Sequence, residues 1–233
     1  MGKFHEKRFP GESDGYRETR DELLAAEMEL RRRLEAVAAL RRGLPFGGRL
    51  KEDYFFEDSV ADSSGLEAVK QIRFSELFGV RKNSLIIYSF MYAPEAEYPC
   101  PMCTSILDGF NGSAPHVQDR VNLVIVAKAP IQRIRNWASK RGWSNLRMLS
   151  SGNNTYNADY FAETADGAQI PAINVFMKTD DGIFHFYNTE LLYAPPERGQ
   201  HPRHADLIWP LWNLFDLTPD GRGMEWFPRF SYR

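Results

Sequence analysis

Ser84-Leu85-Ile86-Ile87-Tyr88-Ser89-Phe90-Met91-Tyr92 runs into a polar loop, Ala93 to Pro99, and then into Cys100-Pro101-Met102-Cys103. The first segment is β-rich and nearly continuous in apolar residues, which suits a central strand covered on both faces. Thr104 to Phe110 can continue as a helix. The two cysteines therefore fall between a buried strand and a helix. If Cys100 lies at the helix N-cap, the free backbone N–H groups and the positive dipole end favour its thiolate. Pro101 then takes the first helical position, where its missing N–H costs nothing. The three-residue offset sets both sulfurs on one side of the first turn, compatible with the short Cα separation a disulfide requires.

Magnitudes bound this expectation. A helix terminus contributes about 0.3–1 kcal/mol, or up to ~2 when partly buried. At about 1.36 kcal/mol per pKa unit, that is at most roughly 1.5 units below a free thiol near 8.5. Stronger acidification needs further donors, such as the Cys103 thiol or backbone N–H groups. The chemistry this arrangement suits is thiol–disulfide exchange: Cys100 attacks a substrate disulfide and Cys103 resolves the mixed disulfide. It needs no bound cofactor.

Composition narrows the alternatives. Cys100 and Cys103 are the two cysteines of a 233-residue chain, which excludes a disulfide-stapled secreted scaffold and leaves a redox pair, half a metal site or coincidence. The chain is 43% apolar, enough for a real core, and 29 basic against 31 acidic side chains argue against a nucleic-acid binder. A mean hydropathy of −0.46 and the lack of a long apolar run argue against a membrane span. Met1 to Glu12 is polar, with no apolar signal core, and Glu6 stands where N-terminal acylation needs Ser or Thr. A cytoplasmic protein is the expectation.

Outward from the cysteines, residues 1–16 read as a loose leader. Thr19 to Glu22 forms a capping box, with an earlier start near Ser13 as the alternative. Leu23, Leu30, Leu34, Val37 and Leu40 recur at helical spacing, and Gly43 and Pro45 end the pattern. This long amphipathic helix either packs on its own domain or serves a homodimer. Residues 1–50 are read as leader and helix, and 51–233 as the main domain with an aromatic tail. Tyr54 to Phe56 is a short strand candidate and Asp62 to Gly65 a turn. Val121 to Val126 and Leu146 to Leu149 are strands flanking a helix, Ile131 to Lys140. Gly152 to Asn157 is a loop. Ala172 to Met177 and Ile183 to Tyr187 are strands joined by Asp180-Asp181-Gly182, and Leu207, Leu211, Trp212, Leu214 and Phe215 mark a last helix interrupted or begun at Pro210. Gln169-Ile170-Pro171-Ala172 sets a proline at a strand start; on its own it reads as an ordinary trans proline.

This order resembles the thioredoxin superfamily: strand, Cys-x-x-Cys at a helix start, strand, helix, cis-proline, hairpin, helix. The resemblance implies an α/β, thioredoxin-like fold, a central mixed sheet flanked by helices, with an N-terminal amphipathic helical arm. Cys100-Pro101-Met102-Cys103 is similar to the glutaredoxin form of the motif. Ile170-Pro171-Ala172 resembles the stretch that carries the family's cis-proline beside the dithiol. Phe74 to Gly79, ahead of Ser84 to Tyr92, resembles the redoxin and peroxiredoxin branch. Closer still, the chain resembles a bacterial thioredoxin-like family of unknown function, described as predicted dithiol-disulfide oxidoreductases or isomerases. Leu23 to Pro45, Cys100 to Asp108, Gly142-Trp143, His185 to Asn188 and Asp216 to Gly223 carry that likeness.

The resemblance implies Cys100, Cys103 and Pro171 as the catalytic set, with Pro101, Met102, Tyr98 and Ile170 around them. It also implies a disulfide-bearing protein or small thiol as substrate, and a reductase or glutathione as electron donor. There are departures. Tyr98-Pro99 precedes Cys100 where thioredoxins have Trp, and Leu85 to Met91 offers no equivalent of their buried Asp. Glu95 and Glu97 are the nearby candidates for a base, with a solvated loop role as the alternative. Ala93 and Glu97 occupy the Pro and Thr positions of the peroxiredoxin motif, which weakens that mechanism but leaves other redoxin-type thiol peroxidases open. Two further classes remain: a zinc site of Cys100 and Cys103 with His201 and His204, and a non-catalytic interaction module. His116 and His185 read as exposed or structural residues.

Overall fold

The structure is a computed structural model that describes residues 3–61, 67–195, 198 and 207–232. The backbone divides into two compact units, Met1–Pro45 and Phe46–Arg233.

The first unit is dominated by α1, Asp14–Arg42. Its cap is Ser13, whose side chain accepts from the Tyr16 N–H at 3.2 Å. The helix thus starts a turn before the Thr19–Glu22 box; Thr19 instead bonds back to the Gly15 carbonyl at 3.1 Å from inside it. Arg17 is buried in this unit between Glu12 and Asp21, at 3.8 and 3.7 Å. Glu29 pairs with Arg32 and Arg33, as an exposed helix face does.

The second unit holds one seven-stranded sheet in the order β2-β1-β5-β4-β3-β6-β7. Its strands are β1 Phe55–Ala61, β2 Glu67–Arg73, β3 Ser84–Ser89, β4 Asn122–Ala127, β5 Arg147–Ser150, β6 Ala172–Thr179 and β7 Gly182–Asn188. β3, β4 and β5 are parallel and the remaining pairings antiparallel, so the sheet is mixed. Helices α2 Pro101–Arg120 and α3 Ile131–Arg141 make the crossovers β3–α2–β4 and β4–α3–β5. Short helices α4 Tyr156–Asp159 and α5 Pro210–Phe215 complete the set. This is the thioredoxin-like α/β arrangement.

Alternation along the central strands explains the two cores. Tyr88 of β3, Phe90 just after it, and Leu123, Ile125 and Ala127 of β4 share a core with Cys103, Leu107, Ile134 and Trp137 from α2 and α3, and with Trp209 and Trp212. Leu85, Ile87, Val124 and Val126 face the opposite way, into a core closed by Tyr54, Phe56, Phe74, Tyr156 and Phe176. Both faces of β3 and β4 are covered, so their sequences are nearly all apolar. The free edge of β7 is covered in part by Gly47 and Leu50, whose N–H groups donate to the His185 and Ile183 carbonyls at 2.8 Å. A Cβ on Gly47 would stand 3.0 Å from the His185 oxygen, so this approach needs glycine.

Four elements differ from the sequence reading. β1 and β2 form a full antiparallel pair where only a short strand is expected. β2 is polar along most of its length and lies at the sheet edge, where the alternation that signals a strand is weak. The turn expected at Asp62 to Gly65 lies outside the described residues. α2 runs to Arg120, past Pro115. Pro115 removes the donor for the Asn111 carbonyl, and Asn145 Nδ2 supplies one at 3.0 Å while its own N–H bonds Asn111 Oδ1 at 2.9 Å. Tyr156–Asp159 is a helical turn instead of plain loop.

Phe74 is fully buried, its ring 4.8 Å from Phe176 and 6.1 Å from Tyr156. Phe74→Ala is expected to cost about 3–5 kcal/mol of unfolding free energy in urea titration, from lost transfer energy plus the cavity left behind.

Candidate functional site

Cys100 is the N-cap of α2, in extended conformation at φ −65 and ψ 126, with Pro101 at the first helical position. Backbone bonds fix it from both sides. Its N–H donates to the Met91 carbonyl at 2.9 Å, joining the loop end to the strand that precedes it. Its carbonyl accepts from the Thr104 N–H and from Thr104 Oγ1, each at 3.0 Å.

The loop between Met91 and Cys100 is held by a residue that the sequence did not single out. Arg133 of α3 donates from its two terminal nitrogens to the Pro94 and Ala96 carbonyls. Its guanidinium also lies 5.3 Å from the Tyr92 ring centroid. The Ala129 N–H bonds the Tyr92 carbonyl at 2.8 Å. α2 is tied at its side through Asp108, which accepts from Arg141 and from Trp143 Nε1, the latter at 2.8 Å. Trp209 Nε1 donates to Ser105 Oγ at 3.1 Å, so a C-terminal tryptophan braces the first turn after the cysteines.

The two sulfurs are free thiols in different surroundings. Cys103 is buried, at 2% exposure, whereas Cys100 is half-buried. The Cys100 thiol is lowered to about 6. Its main cause is a hydrogen bond from the Cys103 thiol; the Cys103 and Met102 backbone N–H groups add to it, and burial opposes it. Helix-terminus electrostatics alone would not reach this far, and the donors that make up the difference are the neighbouring thiol and first-turn amides. Cys103 moves the opposite way, raised by that same bond to Cys100, then by burial and by the Cys100 charge. Two groups work against the rise: Tyr88 and the Met91 backbone.

Tyr88 is the second residue missed from sequence. Its signal in the sequence is a phenol within a nearly continuous apolar run, Leu85 to Met91. Glu95 and Glu97 are exposed, and the Glu97 carboxylate beside Tyr98 raises that phenol. Neither acts on Cys103.

The remaining expected residues divide. Met102 packs partly buried against the core that contains Cys103. Tyr98 is exposed, with its ring 6.2 Å from Trp137 and 6.0 Å from Phe230 of the aromatic tail. Ile170 donates its N–H to the Ala162 carbonyl at 2.9 Å and lines an apolar recess with Phe161 and Tyr193. Pro171 immediately precedes Ala172, which pairs with Ser89, so it stands at the sheet end from which β3 leads toward the cysteines. The cis-proline implied by the resemblance is corrected: no peptide bond among the described residues is cis. The chain enters β6 extended, and without a tight turn to enforce the other isomer the trans bond is favoured by about 0.5–1 kcal/mol. His185 is structural, its Nε2 3.0 Å from Asn174 Oδ1 and its ring stacked on Tyr160. His116 is exposed. His201 and His204 lie outside the described residues, as does most of the loop from Tyr193 to Pro202.

Thiolates react and thiols do not, so a lowered pKa preserves reactivity at acid pH. Alkylation of Cys100 is expected to be half-maximal near pH 6, instead of near ~8.5 for a free thiol. Cys103→Ala removes the principal donor, and the midpoint is expected to rise by about one unit or more. Iodoacetamide rates across pH measure both.

Comparisons with known proteins place the chain. Several solved structures have a similar backbone. The peroxidoxin BcpB of Mycobacterium tuberculosis shares 16% identity at a TM-score of 0.45, over 72% of this chain and 95% of that one. AhpC of Enterococcus faecalis shares 14% at 0.46, over 76% and 97%. The 1-Cys peroxiredoxin antioxidant protein of Plasmodium falciparum shares 11% at 0.47, over 61% and 84%. Among curated proteins, none matches in sequence. Residues 6–232 match the family described as Bacterial protein of unknown function (DUF899), and the chain belongs to it.

Proposed function

We propose that this chain is a thiol-disulfide oxidoreductase. Cys100, as thiolate, attacks one sulfur of a substrate disulfide and expels the other as a thiol. Cys103 then attacks the Cys100 sulfur of the mixed disulfide, releases the second substrate thiol and leaves a Cys100–Cys103 disulfide. Two electrons pass to the substrate, and a reductase or glutathione returns the pair to the dithiol.

The observation that carries this reading is the opposite poise of the two sulfurs. The half-buried one at the helix N-terminus is lowered to about 6, and the buried one is raised. A nucleophile must be ionised and reachable before the encounter. A resolving thiol is best kept protonated until the mixed disulfide has formed, because an early second thiolate would repel the first. In this reading Pro171 shapes the place that receives the substrate, with Tyr98, Met102 and Ile170 as supporting residues. In a reducing cytoplasm the dithiol serves as a reductant.

Thiol labelling in graded glutathione buffers tests the proposal. The expected result is one reversible two-electron transition in which both cysteines disappear together, abolished in Cys100→Ser. Two thiols that stay labelled throughout oxidising buffers would overturn it. Peroxide consumption through a single oxidised cysteine, with no disulfide formed, would point to a redoxin-type peroxidase instead.

A further inference from the structure

Tyr88 occupies a core position at which phenylalanine would pack equally well. It is fully buried, on the face of β3 that looks toward α2. The Phe110 ring meets it edge-on at 5.7 Å. Cys103, Leu107 and Phe110 lie on one face of α2, at spacings of four and three residues. The hydroxyl is buried, yet among the described residues it has no partner of normal hydrogen-bond geometry. An unsatisfied buried hydroxyl is costly and rare. The polar group it faces is the Cys103 sulfur, with the Cys100 sulfur beyond. The titratable groups acting on one another here are Cys100 and Cys103 from α2 and Tyr88 from β3. Asp108 is engaged by Arg141 and Trp143 instead.

We infer that Tyr88 is the hydrogen-bond donor that stabilises the Cys103 thiolate as it resolves the mixed disulfide. The inference rests on the dithiol reading above. In the resting dithiol, Cys103 gives its proton to a hydrogen bond with Cys100, and the phenol stands by without a well-formed bond. Once Cys100 is bonded to substrate sulfur, its negative charge is gone. Negative charge then develops on Cys103, in a core where an acceptor without a donor is unfavourable. The phenol is already among the groups that act on Cys103.

The step balances. A bond forms between the Cys103 and Cys100 sulfurs, and the bond from Cys100 to the substrate sulfur breaks. The departing sulfur takes the electron pair and the proton that Cys103 loses. Tyr88 keeps its own proton, because burial and the adjacent sulfurs hold the phenol neutral. It is a donor and not a base, and so differs in kind from a buried carboxylate.

The test uses the full chain and a symmetric nitroaryl disulfide, each half of which is coloured when released. With protein in excess, stopped-flow absorbance shows two phases: attack by Cys100, then resolution by Cys103. Tyr88→Phe is expected to leave the first phase unchanged and to slow the second about 10- to 100-fold at neutral pH, the scale of one hydrogen bond to a charged group. The pH midpoint of the second phase should rise by about one unit. In a Cys100→Ser background, the ultraviolet absorbance of the Cys103 thiolate should titrate upward in the same way. Phe110→Leu disturbs the packing but keeps the phenol, and its second phase should match wild type. A Tyr88→Phe second phase with wild-type rate and pH profile overturns the inference alone. A wild type that releases only one coloured half overturns the dithiol reading and this inference with it.

Discussion

The interaction between two neighbouring thiols governs the candidate site. Cys103 favours the charged form of Cys100, and that interaction pushes the two thiols in opposite directions. It depends on the first turn of α2, because only a helical three-residue offset stacks the sulfurs while leaving one near solvent and the other in the core. That turn depends in turn on backbone bonds at Cys100, which reach Met91 on one side and Thr104 on the other. A shift of either partner would break the alignment on which a sulfur hydrogen bond relies.

Much of the surrounding fold serves to keep that turn still. α2 is anchored along its length by Ser105 to Trp209, Asp108 to Trp143 and Arg141, and Asn111 to Asn145. The loop before Cys100 is gripped by Arg133 through two carbonyls and an aromatic face. These contacts join α2 and the loop to α3, its following loop and the C-terminal segment. Beneath them, β3 and β4 present alternate residues to two cores, so the sheet cannot slip by one residue without turning its apolar set inside out. The aromatic cluster around Phe74 and Tyr156 secures the opposite face.

How much of this was legible follows from the range of each signal. The buried strand, the helix beginning at Pro101, the Asp180-Asp181-Gly182 hairpin and the helix beginning at Pro210 rest on local patterns and appear at those places. The α1 start was left between two capping patterns within one helix, and Ser13 is the one used. β2 escaped because a polar edge strand needs little alternation. The passage of α2 beyond Pro115 was hidden because the compensating donor, Asn145, is thirty residues away. At Pro171 the residues alone read as an ordinary trans proline, as found, and only the resemblance implied cis.

The order of residues by itself determined the chemistry on offer: two cysteines, three apart, behind a buried strand and ahead of a proline-started helix. Backbone electrostatics and spacing are local, so a linear reading reaches them. Only the tertiary structure decided how that chemistry is tuned. The depth of Cys103, the phenol of Tyr88 beside it and the grip of Arg133 arise from elements that meet across the sheet and between its helices. Desolvation and hydrogen-bond geometry depend on which surfaces are brought together, and sequence separation does not encode that directly.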